Sequence, residues 1–191
     1  NDVGIGELVD LCREVGAEPF YCLNMMTGSA EEAAALVAYC NAGKEHPMGA
    51  LRARHGYPEP FGIRYWELDN EIMRRLGALE YAARCVEFGR AIKAVDPTVK
   101  LVMIGYGFEP YLARMLEIAG EWIDGITDRA LAEDALRRDL EVIDAYNKVH
   151  GRSVFLCNTE WISWPTVKEV LPGADLNPGE ELEGTLQNRE V

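Results

Sequence analysis

Apolar positions along the chain switch repeatedly between two spacings. Over 6–16, GELVDLCREVG, the residues Leu8, Leu11, Cys12 and Val15 recur at the three- and four-residue intervals of one helix face, and Gly16 suits the position after the last turn. Over 18–25, EPFYCLNM, apolar and aromatic residues instead run together, which predicts a short buried strand. Ser29 and Glu32 then give the Ser-x-x-Glu signature of a capping box at the head of an Ala-rich helix over 29–41. A stretch holding Gly43, Pro47, Gly49, Gly56, Pro58 and Pro60 reads as loop. The alternation resumes with a strand over 62–70, an amphipathic helix over 78–96 and a strand over 99–107. A helix over 109–120, a weaker strand over 122–127, a long helix over 131–151 closed by Gly151 and a strand over 153–161 follow. Residues 165–184, with Pro165, Pro172 and Pro178, read as a long loop, and no internal repeat is visible.

Strand and helix thus alternate through five strands, all too apolar for one face to be wet. That is the pattern of a parallel sheet covered by helices, which a β/α barrel and an open doubly wound sheet both satisfy. No Gly-x-Gly-x-x-Gly and no Gly-x-x-x-x-Gly-Lys-Ser/Thr follows any strand, so the nucleotide-binding open sheets lack their signature. Polar residues gather instead where strands end: Asn24, then Asp69, Asn70 and Glu71, then Asn158, Thr159 and Glu160. Convergence of such residues at the C-terminal rim is the habit of the (β/α)8 TIM barrel. The expectation is an α/β fold, a partial TIM barrel filling residues 1–191 as one catalytic domain with no second domain. Five strands do not close eight, so the piece on its own would bare sheet edges and invite aggregation.

Charge narrows the function classes. The chain has 191 residues with 32 acids against 19 basic residues, a formal charge of −13. Such a surface repels phosphate backbones and anionic lipid, so neither nucleic acid nor membrane is an expected partner. No apolar run approaches the roughly 20 residues of a membrane span, and the first residues show no basic-then-apolar leader. Five scattered cysteines, Cys12, Cys22, Cys40, Cys85 and Cys157, argue for reduced, buried thiols rather than a disulfide framework, and so for a cytoplasmic rather than secreted setting. The three histidines form no metal-ligand spacing, so no metal and no cofactor are expected.

The chemistry sits in two strand ends. In RYWELDNEIM and FLCNTEW, Glu71 and Glu160 each follow an amide or hydroxyl side chain and lie near indoles, Trp66 for one and Trp161 and Trp164 for the other. Either glutamate alone would read as a solvated acid. As a pair on equivalent strand ends, they fit cleavage of a glycosidic bond. One acid protonates the departing oxygen while the other, ionised, attacks the anomeric carbon. Sugar C–H faces stack on Trp, and sugar hydroxyls bond to amides and acids. Tyr65 and Trp66 point to opposite faces, so at most one reaches the rim. Tyr106, after the third strand, is a weaker pocket candidate, and Arg74–Arg75 and Arg137–Arg138 read as solvated helix charges.

These residues, in this order, resemble glycoside hydrolase family 51, the α-L-arabinofuranosidases of the large β/α-barrel clan. YWELDNE is similar to the family's Trp-x-x-Gly-Asn-Glu strand end, residues 5–110 to the helix, strand and connection around it, and FLCNTEW to its nucleophile strand. The resemblance implies that Glu71 is the general acid/base, that Glu160 is the nucleophile, and that the chain carries strands three to seven. It further implies that Asn24 and Asn70 bind sugar hydroxyls, that the substrate is a carbohydrate of the arabinan type, and that the protein is a homo-oligomer. Asp69 stands where the family has Gly; a carboxylate beside Glu71 would favour the protonated form that suits a proton donor. Asp128 and Arg129 stand where the family's sixth strand ends in a His-Tyr pair, and Thr159 where its seventh has Asp. Other readings on the same residues are an endo-β-glucanase or xylosidase of the clan and a non-catalytic barrel fragment.

Overall fold

The computed structural model describes residues 3–129 and 133–160. Trp161, Trp164 and the loop expected over 165–184 lie outside them. Helix α1 (Ile5–Val15) ends at Gly16, whose φ of 70° is the left-handed conformation that glycine reaches without strain. Helix α2 (Ala30–Asn41) starts on a reciprocal cap: the Glu32 N–H donates to Ser29 Oγ at 3.2 Å, and the Ser29 N–H donates to Glu32 Oε2 at 2.9 Å. Helices α4 (Ala78–Val95), α5 (Leu112–Ala119) and α6 (Glu133–His150) follow the predicted segments within a few residues.

Strands β1 (Phe20–Leu23), β2 (Tyr65–Leu68), β3 (Lys100–Ile104), β4 (Gly125–Asp128) and β5 (Phe155–Asn158) form one sheet in chain order, every pair parallel. A crossover that always advances one strand, with the usual right hand, leaves its helix on the same face each time. Accordingly α2 packs on α4, α4 on α5 and α5 on α6 as a single layer. A doubly wound sheet would reverse its strand order and cover both faces, so the observed topology is that of a partial TIM-barrel-like fold. The core lies between this layer and the convex face of the sheet: Trp66, Leu68, Leu101, Met103 and Ile126 meet Tyr81, Phe88, Ile92, Met115 and Leu116, all fully buried. No helix among the described residues is long and apolar enough to cross a membrane.

Alternate strand residues face the concave side. There Tyr65 of β2 meets Phe20 of β1 at 6.4 Å between ring centroids and Phe155 of β5 at 6.3 Å. Contact between β2 and β5, which have two strands between them, requires a strongly curved sheet. Gly125 on β4 permits it, because a side chain there would run into the Phe155 ring at 2.5 Å.

Three expectations change. The loop expected between α2 and β2 contains helix α3 (Pro47–Arg54), started by Pro47 at its first position and by the His46 ring accepting the Met48 N–H at 3.2 Å. It is pinned by Arg52, 0% exposed, which donates to the carbonyls of Tyr39 (2.7 Å), Ala42 (2.8 Å) and Tyr57 (3.2 Å). The weak strand begins at Gly125, not at 122, since the Trp122 N–H still closes the end of α5 on Ala119 O at 2.8 Å. The five cysteines are free thiols, but only Cys40 and Cys85 are buried; Cys22 is exposed because β1 is an outer strand here.

One side chain ties the layer to the strand ends that matter for chemistry. The Tyr81 hydroxyl, on α4, donates to Leu68 O at 2.5 Å and accepts the Ile104 N–H at 3.0 Å, joining the ends of β2 and β3. Tyr81→Phe leaves two buried backbone groups unsatisfied, and a loss of about 1–3 kcal/mol in unfolding free energy is expected from urea titration.

Candidate active site

The acidic turn after β2 is built on an unusual backbone. Asp69 and Glu71 have φ of 71° and 51°, and among the described residues they are the only non-glycine positions with positive φ. Such a conformation costs on the order of 1–3 kcal/mol and persists where its surroundings over-determine it. Asp69 supplies that constraint. Its Oδ2 accepts the Met25 N–H at 2.6 Å and the Met26 N–H at 3.0 Å, and its Oδ1 accepts the Asn70 N–H at 2.7 Å. The buried carboxylate therefore fastens the β2 turn to the loop after β1. It also explains how Asp occupies a glycine-like backbone position.

Beyond the turn, the two glutamates meet at one cation. Arg129, directly after β4, places Nη1 3.2 Å from Glu71 Oε1 and Nη2 2.8 Å from Glu160 Oε1, and Nη2 also donates to Asn70 Oδ1. Glu160 is oriented by its own N–H, which donates to Asn158 Oδ1 at 3.1 Å. The Arg129 side chain is 13% exposed against 39% for Glu71 and 52% for Glu160, so the carboxylates open to solvent over a sunken guanidinium. That guanidinium lies over the Tyr106 ring, 5.4 Å from its centroid.

A second layer lies beneath. Period-two alternation puts Glu67 on the concave face with Tyr65, and it is only 7% exposed. Thr159 Oγ1 lies 3.4 Å from Glu67 Oε1 and 2.7 Å from Thr127 Oγ1, linking β2, β4 and the end of β5. Burial pushes the Glu67 carboxyl up to about 7, against the Arg129 charge and the Thr159 hydrogen bond, which lower it; Glu160 and Asp69 raise it further. Below this layer, Phe20, Tyr65, Phe155, Cys157, Asn158 and Thr159 line a cavity of about 420 Å³. Among the described residues, no group of three or more His, Cys, Asp or Glu is placed to hold a metal ion.

Of the residues singled out in the sequence, the structure gathers Glu71, Glu160, Asn70 and Tyr106 at one rim. Asn24 stands at the end of β1 with its side chain turned to its own loop, bonding Thr27 Oγ1 at 2.7 Å and the Thr27 N–H at 3.1 Å. Trp66 is not a rim residue. It is fully buried on the convex face, edge-on to Tyr21, and its indole N–H donates to Ile63 O at 3.0 Å. Trp161 lies outside the described residues. Glu67 was missed as a member of the site, although the alternation from Tyr65 already pointed it inward; Arg129 was singled out only as standing where the family has its His-Tyr pair, not as a partner of the glutamates.

Comparison with known proteins supplies the family. A family profile described as "Alpha-L-arabinofuranosidase 1 domain" matches residues 1–147. The chain belongs to glycoside hydrolase family 51. Its relatives include the intracellular exo-alpha-(1->5)-L-arabinofuranosidase of Halalkalibacterium halodurans, 31% identical over 198 residues, covering 86% of this chain and 39% of the relative. The probable alpha-L-arabinofuranosidase C of Aspergillus fumigatus is 37% identical over 110 residues, 55% of this chain and 22% of the relative. Among solved structures, the family 51 fold recurs in an α-L-arabinofuranosidase from Thermotoga maritima in complex with arabinose, with a TM-score of 0.78 at 29% identity over 84% of this chain and 37% of the other. The GH51 enzyme of Thermotoga petrophila gives 0.71 at 28% identity, covering 79% and 36%. The chain therefore spans well under half the length of these family 51 relatives.

Two outcomes follow from the turn and from the layer beneath it. Asp69→Ala keeps the adverse backbone and loses three hydrogen bonds, so it should destabilise by about 2–4 kcal/mol, whereas Asp69→Gly relieves the backbone and should lose about 1 kcal/mol less in denaturant titrations. Because the Glu67 carboxyl is raised from 4.5 to about 7, the folded state holds that proton to higher pH than the unfolded chain does. Its contribution to stability is present below the lower value and declines as pH rises through the higher one. Glu67→Gln should therefore gain stability relative to wild type as pH is raised across that window, read from unfolding midpoints at successive pH values.

Proposed function

We propose that the chain carries the catalytic rim of a retaining α-L-arabinofuranosidase acting on arabinose-bearing polysaccharides or oligosaccharides. Glu160 attacks the anomeric carbon to form a glycosyl ester while Glu71 gives its proton to the departing oxygen; Glu71 then takes a proton from the water that releases the sugar. Asn70, beside Glu71, binds a sugar hydroxyl in this reading, and so does Asn24 once its side chain leaves the Thr27 contacts it makes in its own loop. In this reading the five strands are strands three to seven of an eight-stranded barrel, residues 1–191 are one partial catalytic domain, and the setting is cytoplasmic. The name of the H. halodurans relative supports the intracellular setting.

One observation carries the proposal: glutamates from β2 and β5 reach opposite nitrogens of a single guanidinium at the C-terminal rim. Membership of family 51, whose relatives are named arabinofuranosidases, supports the choice of sugar over a β-glucoside or β-xyloside.

The test is hydrolysis of aryl α-L-arabinofuranoside by the full-length protein, with aryl β-glucoside and β-xyloside beside it. Glu160→Gln should lower kcat by about 10³-fold or more. Glu71→Gln should lower it by about 10²–10⁴-fold, least for leaving groups that need no proton. The first-formed sugar, followed by NMR, should keep its anomeric configuration. Equal rates in Glu160→Gln, or an inverted first product, would remove the assignment.

A further inference from the structure

Between the two glutamates lies a cation where the proposed reaction needs a sugar. In a retaining glycosidase the two carboxyl groups stand about 5–5.5 Å apart, with the anomeric carbon and the departing oxygen between them. In this chain Arg129 bridges the two glutamates, with Nη1 on Glu71 and Nη2 on Glu160 and on the Asn70 amide oxygen. A planar guanidinium and a furanose ring cannot occupy the same gap. Glu71 Oε1 accepts an N–H from Arg129, so one of the two oxygens that could present a proton to the leaving group is engaged.

We propose that Arg129 is a resident counter-ion of the two glutamates, and that a pentose enters by displacing its guanidinium from Glu71. This rests on the arabinofuranosidase reading of the two glutamates. The displaced group has somewhere to go: it already lies over the Tyr106 ring. Substrate affinity is thereby set against an internal ion pair, and a longer substrate with more subsite contacts overcomes it more readily than a bare pentose does.

Methylguanidinium is the probe. In the full-length protein, Arg129→Ala should lower KM for aryl α-L-arabinofuranoside by about threefold to tenfold, since the competing group is gone. Added methylguanidinium should then raise the KM of Arg129→Ala while leaving its kcat unchanged, and should not affect wild type. A rise in kcat on its addition would place the guanidinium in the working complex and overturn the proposal. So would a KM in Arg129→Ala equal to or above that of wild type. Should Arg129→Ala fail to fold, Arg129→Lys serves in its place. One nitrogen in place of two loses the paired contacts to Glu71 and Glu160, so KM should again fall, and an unchanged or higher KM overturns the proposal. Binding is followed without turnover by carboxyl-carbon NMR, where methylguanidinium should shift the Glu71 and Glu160 signals of Arg129→Ala saturably and lose the effect in Arg129→Ala/Glu160→Gln. Saturable shifts in a protein that hydrolyses no arabinofuranoside would refute the functional reading and leave the counter-ion standing; absence of shifts would refute the counter-ion.

Discussion

Everything at the rim depends on how sharply the sheet bends. Neighbouring strands lie about 4.8 Å apart, so on a flat sheet β2 and β5 would be separated by about 14 Å, too far for their side chains to share one group. The concave face brings them together at three heights. Tyr65 and Phe155 touch at the lowest, Glu67 and Thr159 above them, and Glu71 and Glu160 meet through Arg129 at the top. Gly125 makes room for the bend, because the ring of Phe155 lies across the place where a β4 side chain would project. Curvature and chemistry are therefore one problem for this sequence, solved partly by a residue with no side chain.

The density of acid at this rim is distributed by giving each carboxylate a different counterpart. Asp69 is satisfied by backbone N–H groups and serves the fold. Burial moves Glu67 toward its neutral form, against the hydrogen bond it accepts from the Thr159 hydroxyl. Glu71 and Glu160 stand at the surface and share a guanidinium that is itself sunk below them. At the opposite end of the strands the balance is simpler. Burial alone would raise Asp124, but hydrogen bonds from Lys93 and Lys100 and from the Leu101 N–H hold it below its ordinary value. That end of the sheet is stabilised; the other is equipped.

The fold was legible because its signal is periodic and local. Caps at Ser29 and Gly16, apolar runs at β1 to β5 and the clustering of amides and acids at strand ends each rest on a few adjacent residues. Helix α3 was hidden by its own composition, since Pro47 and Gly49 read as loop when Pro47 in fact starts a helix and Gly49 sits against the Gly43 carbonyl. Trp66 looked like a sugar platform beside Glu71, yet strand alternation sends it to the helix side, and Tyr65 takes the concave face. Arg129 could not be found from pattern alone. Its role comes from three partners drawn from two other strands, and no spacing along the chain encodes that meeting.

The left-handed backbone at Asp69 and Glu71 has a consequence for recognition. A segment forced into that region and fastened by Asp69 has few other shapes to visit, so little mobility remains to be lost there when a ligand arrives. The ordering was completed during folding. Calorimetric binding entropy at this rim would then be dominated by released water and by the shifting guanidinium, not by the chain that carries Glu71.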